Sequence, residues 1–213
     1  LMFHLENVHI SGDLNHIDCR FPVQMTIRPR TDEYHDYRGI AGQIAGGVFR
    51  KGDTVMVLPS GYKTKIKALD TADGELEEAY APMSIAMRLE DEFDIGRGDM
   101  IVRENNAPQI GQDLEMMICW LNEKALSPGN KYVIRHTTKE STCVVRDVRY
   151  KIDINTLRRI ENDKVFLMND IGRVHIRTAQ PLFYDSYRRN RNTGSIILID
   201  EFTNETVAAG MIL

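Results

Sequence analysis

Arg38-Gly39-Ile40-Ala41-Gly42-Gln43-Ile44-Ala45-Gly46-Gly47-Val48-Phe49-Arg50-Lys51-Gly52-Asp53 is the stretch whose reading decides the fold. Small residues recur in it where a β-strand would carry bulk, and it ends in a Lys-Gly-Asp turn. Glycine inside a strand weakens it, so its repetition points to bulges, tight barrel corners or close approach of two backbones. An apolar hairpin, Thr54 to Leu58, follows, and Pro59-Ser60-Gly61-Tyr62 closes it. The expectation is a twisted, closed antiparallel sheet in which these glycines are structural. No helical pattern follows them, so they are not a dinucleotide fingerprint. The sequence also contains no G-x-x-x-x-G-K-[ST] phosphate loop.

Outward from this stretch the pattern remains strands. Lys63-Thr64-Lys65-Ile66-Lys67-Ala68-Leu69 alternates charged and uncharged positions, one wet face and one buried. Ser84 to Leu89 alternates again and places Ile85, Met87 and Leu89 inside. An acidic connection, Asp91 to Asp99, leads to a short strand, Met100-Ile101-Val102. Upstream of Phe21, Leu1 to Val8 has helical spacing but is too short to be stable alone. Ser11-Gly12-Asp13 and Asn15 break it. These features assign residues 1–20 to the end of a preceding domain and its linker, 21–103 to a first barrel, 104–111 to a linker and 112–213 to a second barrel.

In the second unit Leu114 to Leu121, Lys131 to His136, Ser141 to Ile152, Arg173 to Arg177, Gly194 to Asp200 and Thr206 to Ile212 read as strands. In Ser141–Ile152 the alternation puts Val144, Val148, Tyr150 and Ile152 on one face and Asp147, Arg149 and Lys151 on the other. Asn155 to Ile160 is the one candidate for a helix. Short strands at regular spacing with turn signals between them indicate an all-β barrel or sandwich architecture.

Composition narrows the function classes. The chain has 213 residues, 42% hydrophobic and 27% charged, which is ordinary for a globular protein able to bury a core. No apolar run approaches the ~20 residues of a membrane helix, and no membrane partner is expected. Cys19, Cys119 and Cys143 are odd in number and far apart, which excludes a disulfide framework and fits a reducing cytoplasm. The net charge of −4 divides into −6 for residues 1–111 (12 basic, 18 acidic) and +2 for residues 112–213 (15 basic, 13 acidic). Neither half is basic enough to call for a nucleic acid.

No constellation of residues carries catalysis. The six histidines show no metal-ligand spacing, and no serine or cysteine has a base nearby in sequence. Catalytic, cofactor and metal residues are therefore all expected to be none. The sharpest local feature is Tyr184-Asp185-Ser186-Tyr187-Arg188-Arg189-Asn190-Arg191-Asn192-Thr193-Gly194. Arg188, Arg189 and Arg191, with Asn190, offer forked donors to a phosphate or carboxylate. A solvated cluster, or arginines pairing with the acids of a neighbouring domain, is the plainer account of them. Arg28 and Arg30 with Tyr37 and Arg38 form a smaller cluster with the same alternatives.

Several strings carry a resemblance. Phe21-Pro22-Val23-Gln24, Arg28-Pro29, Tyr37-Arg38-Gly39-Ile40-Ala41-Gly42, Gly52-Asp53 and Leu58-Pro59-Ser60-Gly61 resemble the second domain of translation-factor-type GTPases. Val148-Arg149-Tyr150-Lys151-Ile152-Asp153-Ile154-Asn155-Thr156-Leu157, Leu167-Met168-Asn169-Asp170-Ile171-Gly172-Arg173-Val174 and Asn204-Glu205-Thr206-Val207-Ala208-Ala209-Gly210-Met211-Ile212 resemble the third domain of the sulfate adenylyltransferase large subunit. The resemblance covers essentially the whole chain and implies two consecutive antiparallel β-barrels like domains II and III of elongation factor Tu. It further implies a parent enzyme that makes adenosine 5′-phosphosulfate and pyrophosphate from ATP and sulfate. GTP and Mg would bind in a GTPase domain outside this sequence, and some relatives continue into an adenylylsulfate kinase. The implied partners are the small adenylyltransferase subunit, in a heteromer, and the chain's own GTPase domain. The fragment alone is expected to be inactive. The competing expectations are a tRNA-binding barrel pair and a ligand-free scaffold.

Overall fold

The computed structural model describes residues 2–7, 15–29 and 37–213. After a short helix α1 (Met2–Asn7), nine strands form the first unit: β1 (Arg20–Ile27), β2 (Gly39–Gln43), β3 (Val48–Arg50), β4 (Thr54–Leu58), β5 (Tyr62–Thr71), β6 (Gly74–Leu76), β7 (Glu78–Tyr80), β8 (Ser84–Leu89) and β9 (Met100–Arg103). The order β4-β9-β1-β2-β8-β5 closes on itself through the β4–β5 pairing, giving a six-stranded antiparallel barrel. Strand β6 extends β5, and β3 with β7 makes a separate ribbon. Closure removes the exposed edges that an open sheet would present.

The glycine-rich stretch behaves as its composition dictates. A Cβ on Gly42 would lie 2.4 Å from the Pro22 carbonyl oxygen and 3.1 Å from the Phe21 ring. Beside it, β1 shifts register between Val23 and Met25. Gly47 has φ +77°, a conformation open to glycine at little cost, and packs on the Cys19 backbone. Phe21, Val23, Ile44, Phe49, Val55 and Met87 fill the interior.

The second unit contains β10 (Gln109–Trp120), β11 (Lys131–His136), β12 (Lys139–Ile152), β13 (Arg159–Ile160), β14 (Ile171–Tyr184), a one-turn helix α2 (Arg191–Gly194), β15 (Ser195–Ile199) and β16 (Thr206–Ile212). The order β11-β15-β16-β10-β14-β12 closes through β11–β12 into a second six-stranded barrel, with β13 appended to β12. Trp120, Ile134, Val145, Phe166, Val174 and Leu198 are among its core residues.

Two details depart from the sequence reading. In β12 the register shifts between Val145 and Asp147 and again between Val148 and Tyr150. Each bulge reverses the parity of the strand. The buried positions are therefore Ser141, Cys143, Val145, Val148 and Lys151, while Val144, Tyr150 and Ile152 are only half-buried. Asn155 to Ile160 is a turn followed by β13, because Asp153 Oδ1 accepts from the backbone N–H groups of Asn155 and Thr156 and terminates the strand.

Candidate functional site at the seam between the barrels

The barrels meet along a seam made from residues far apart in sequence. Arg20, at the start of β1, is fully buried and forms a bidentate pair with Asp185, which is 2% exposed. Nε donates to Oδ2 at 2.8 Å and Nη2 to Oδ1 at 2.9 Å. Nη1 turns back to the carbonyls of Cys19 and Asn106. Asp185 Oδ2 also accepts from Thr193 Oγ1 at 2.7 Å. The Thr193 carbonyl in turn accepts from His136 Nε2 at 2.7 Å. Burial pushes the His136 imidazole below its ordinary value, so it is neutral.

A second tier covers the first. Asp18 accepts from Arg189 Nε (2.7 Å) and Nη2 (2.6 Å), from Asn106 Nδ2 (2.8 Å) and from Asn15 Nδ2 (2.7 Å). The Arg189 guanidinium, aided by the two asparagines, holds this carboxyl far below the usual carboxylate range despite its desolvation. Asn190 caps α2 by accepting from the N–H groups of Asn192 and Thr193. Its Nδ2 reaches across to the Ala45 carbonyl at 3.1 Å. The close approach explains Gly46, where a Cβ would sit 2.7 Å from Asn190 Nδ2 and 2.6 Å from the Asp18 carbonyl oxygen. Beside these polar tiers, Leu58, Met100 and Val102 of the first barrel enclose Phe183 of the second. The Lys139 ammonium stands 4.7 Å over the Phe183 ring.

The arginine-rich loop is thus brought to the first barrel. Arg189 and Asn190 bond within the chain, as arginines pairing with a neighbouring domain would. Arg188 is exposed. Arg191 lies 6.0 Å from the centroid of the Tyr187 ring. The smaller cluster is not gathered on one anion. Arg28 is exposed beyond β1, and Arg30, with Asp32-Glu33-Tyr34-His35-Asp36, lies outside the described residues. Tyr37 donates to Asp70 at 3.0 Å, while Arg38 donates to Glu92 at 2.8 Å and to the Phe93 carbonyl. The seam residues Arg20, Asp18 and Asn106 carried no local signal, and Asp185 lay within the arginine-rich stretch without being singled out. Arg20 and Asp185 are 165 positions apart, so no spacing rule could pair them.

Among the described residues no group of His, Cys, Asp and Glu is arranged to hold a metal ion. No described helix is long and apolar enough to cross a membrane. What the seam does chemically is fix one barrel on the other, through two carboxylate–guanidinium forks and an apolar plug.

Two consecutive closed barrels of this kind match the fold of translation-factor GTPase structures. Crystal structures of sup35 complexed with GDP and with GMPPNP match the whole chain at a TM-score of 0.82 in each case, with 18% and 17% sequence identity over 51% of those chains. The family described as GTP-eEF1A C-terminal domain-like matches residues 113–213. Among curated proteins, sulfate adenylyltransferase subunit 1 and the bifunctional enzyme CysN/CysC are similar to the chain over its whole length. The chain is 49% identical to the bifunctional enzyme CysN/CysC of Mycobacterium tuberculosis and 42% identical to sulfate adenylyltransferase subunit 1 of Bacteroides thetaiotaomicron, matching over its entire length. It spans 35% and 45% of those two relatives. The resemblance read from the sequence is borne out across the whole chain.

Proposed function

We propose that these residues are the barrel platform of the GTP-hydrolysing regulatory subunit of a cytoplasmic sulfate adenylyltransferase. The parent enzyme joins ATP and sulfate into adenosine 5′-phosphosulfate and pyrophosphate for sulfate assimilation. GTP and Mg bind in a GTPase domain outside this sequence, and the adenylyl transfer belongs to a small partner subunit, the two forming a heterodimer. The observation that carries the reading is identity of 42% over the entire chain to a relative named sulfate adenylyltransferase subunit 1, beside 49% to a bifunctional enzyme CysN/CysC. The seam supports a mechanical role. Barrels locked by the buried Arg20–Asp185 fork and the part-exposed Asp18–Arg189 fork transmit a turn at one end as a rigid-body displacement at the other. The barrels alone carry no transfer activity.

The test is a calorimetric titration of this chain against the small adenylyltransferase subunit from the same source, at two salt concentrations. Saturable binding is expected. No binding by a chain shown to be folded by circular dichroism refutes the platform reading. Nanomolar, salt-sensitive affinity for tRNA would replace it with the translation-factor reading.

A further inference from the structure

Three cationic side chains from three adjacent strands line one cavity on the outer face of the second barrel. Lys131 of β11, Arg146 of β12 and Arg177 of β14 border a space of about 440 Å³. The strand register explains why they converge. Lys131 pairs with Val144, and Val144 pairs in turn with Arg177. Directly paired residues share a face, so the two cations flank Val144 from opposite sides, about 10 Å apart at the backbone. Arg146 is the extra residue of the bulge between Val145 and Asp147 and has no opposite number on β14. It is exposed, as is Thr142, while Cys143 and Val145 between them are buried. The bulge therefore adds a third cation to the outward face beside Val144, the kind of re-aiming that bulges perform.

These charges are not neutralised within the chain. Lys131 and Arg146 form no ion pair or side-chain hydrogen bond among the described residues. Arg177 donates from Nη1 to Asp113 Oδ2 at 2.6 Å, which leaves the rest of its fork open. Glu201, on the turn between β15 and β16, also borders the cavity but is ion-paired with none of the three. Nearby arginines of the same sheet do find a carboxylate when one is in reach: Arg149 and Arg173 share Glu115, at 2.7 and 2.8 Å. Thr142 adds a hydroxyl at the cavity wall, and Val144 and Ala179 add apolar surface.

We propose that this cavity binds a dianionic phosphate, free or carried on a small ester, between Lys131, Arg146 and the open edge of Arg177. Guanidinium forks and an ammonium are the donors that phosphate recruits, and the Thr142 hydroxyl supplies a further one. The volume lies within the range of small-molecule sites, so an organic group has room over Val144 and Ala179. The concave form favours a small molecule over a nucleic acid, which calls for a basic stripe on a basic domain, whereas the chain carries a net charge of −4. The site lies beyond the platform reading and does not depend on it.

The test is a titration of the chain with glycerol 3-phosphate, followed by amide NMR shifts. Saturable shifts centred on residues 142–146 and 177–179 are expected, and none from glycerol. Lys131→Gln/Arg146→Gln should weaken the affinity at least about tenfold, because each change removes a charge-assisted contact. Glu201→Gln removes the carboxylate at the rim and should tighten binding, a gain that misfolding cannot imitate. All three side chains are exposed, so the fold should survive, as checked by circular dichroism. Inorganic phosphate forms the second arm: weaker binding than the ester identifies the ester as the source, equal binding identifies the free ion, and either supports the site. No saturable binding, shifts scattered over the surface, or equal affinity in wild type and both variants overturns it. A short RNA duplex that binds more tightly than either phosphate, and loses that affinity in the double variant, assigns the cations to nucleic acid and also overturns it.

Discussion

Replacing Arg20 by alanine removes one half of a pair with essentially no access to water. Asp185 is left buried with the Thr193 hydroxyl as its remaining side-chain donor, and the carbonyls of Cys19 and Asn106 lose their guanidinium partner. Breaking a buried pair from one side costs about 3–5 kcal/mol, because the surviving charge is uncompensated. That is a large share of the ~5–15 kcal/mol that holds a typical domain folded. The pair spans the two barrels, so the loss should also uncouple them. Urea unfolding followed by fluorescence of Trp120, the single tryptophan, reports the second barrel, while far-ultraviolet circular dichroism reports both. Wild type should give coincident transitions. Arg20→Ala should be destabilised by about 3–5 kcal/mol and show two separated transitions. The double variant Arg20→Met/Asp185→Leu should recover part of the loss, since an apolar pair carries no desolvation penalty. A loss below about 1 kcal/mol with coincident transitions, the behaviour of an exposed pair, would refute the reasoning.

Three further outcomes follow from single residues. The Asp18 carboxyl is held far below its ordinary value of 3.8, so its contribution is fully present above that value and is lost as the pH falls below it. The stability gap between wild type and Asp18→Asn should therefore be constant above about pH 5 and narrow as the solution is acidified through pH 4; a gap that widens would contradict the assignment. Gly42→Ala drives a methyl into the Pro22 carbonyl oxygen and should cost upward of about 1–3 kcal/mol in urea unfolding. Gly96→Ala meets nothing within 4 Å and should stay within about 0.5 kcal/mol; equal effects would remove the close-approach account of the glycines. Burial pushes the Cys143 thiol up to about 12 and raises that of Cys19, so a thiol reagent should label half-buried Cys119 first in the native protein. Early labelling of Cys143, read by mass spectrometry, would show its barrel to be open.

Where the fold was legible, simple periodicity carried it. Thr54–Leu58, Lys131–His136 and Thr206–Ile212 are strands with the bounds their sequences imply. Glycine repetition announced the tight approach of β1 and β2. Parity failed in β12 because two bulges each insert a residue, and a pattern that assumes a period of two cannot register them. The arginine-rich loop stood out in the sequence, but whether it was solvated or paired, and with what, was not legible. Asp18 lies 171 positions from Arg189, and only barrel closure brings them together. Arg20 gave no signal because a single arginine in a linker looks solvated until the other barrel covers it.

Locked by the seam, the two barrels are expected to move as one body. Backbone residual dipolar couplings, measured on the chain in a weakly aligning medium, test it most directly. One alignment tensor should fit the couplings of residues 20–103 and 109–212 together, and Arg20→Ala should require two. Two distinct tensors in the wild-type protein would contradict the account.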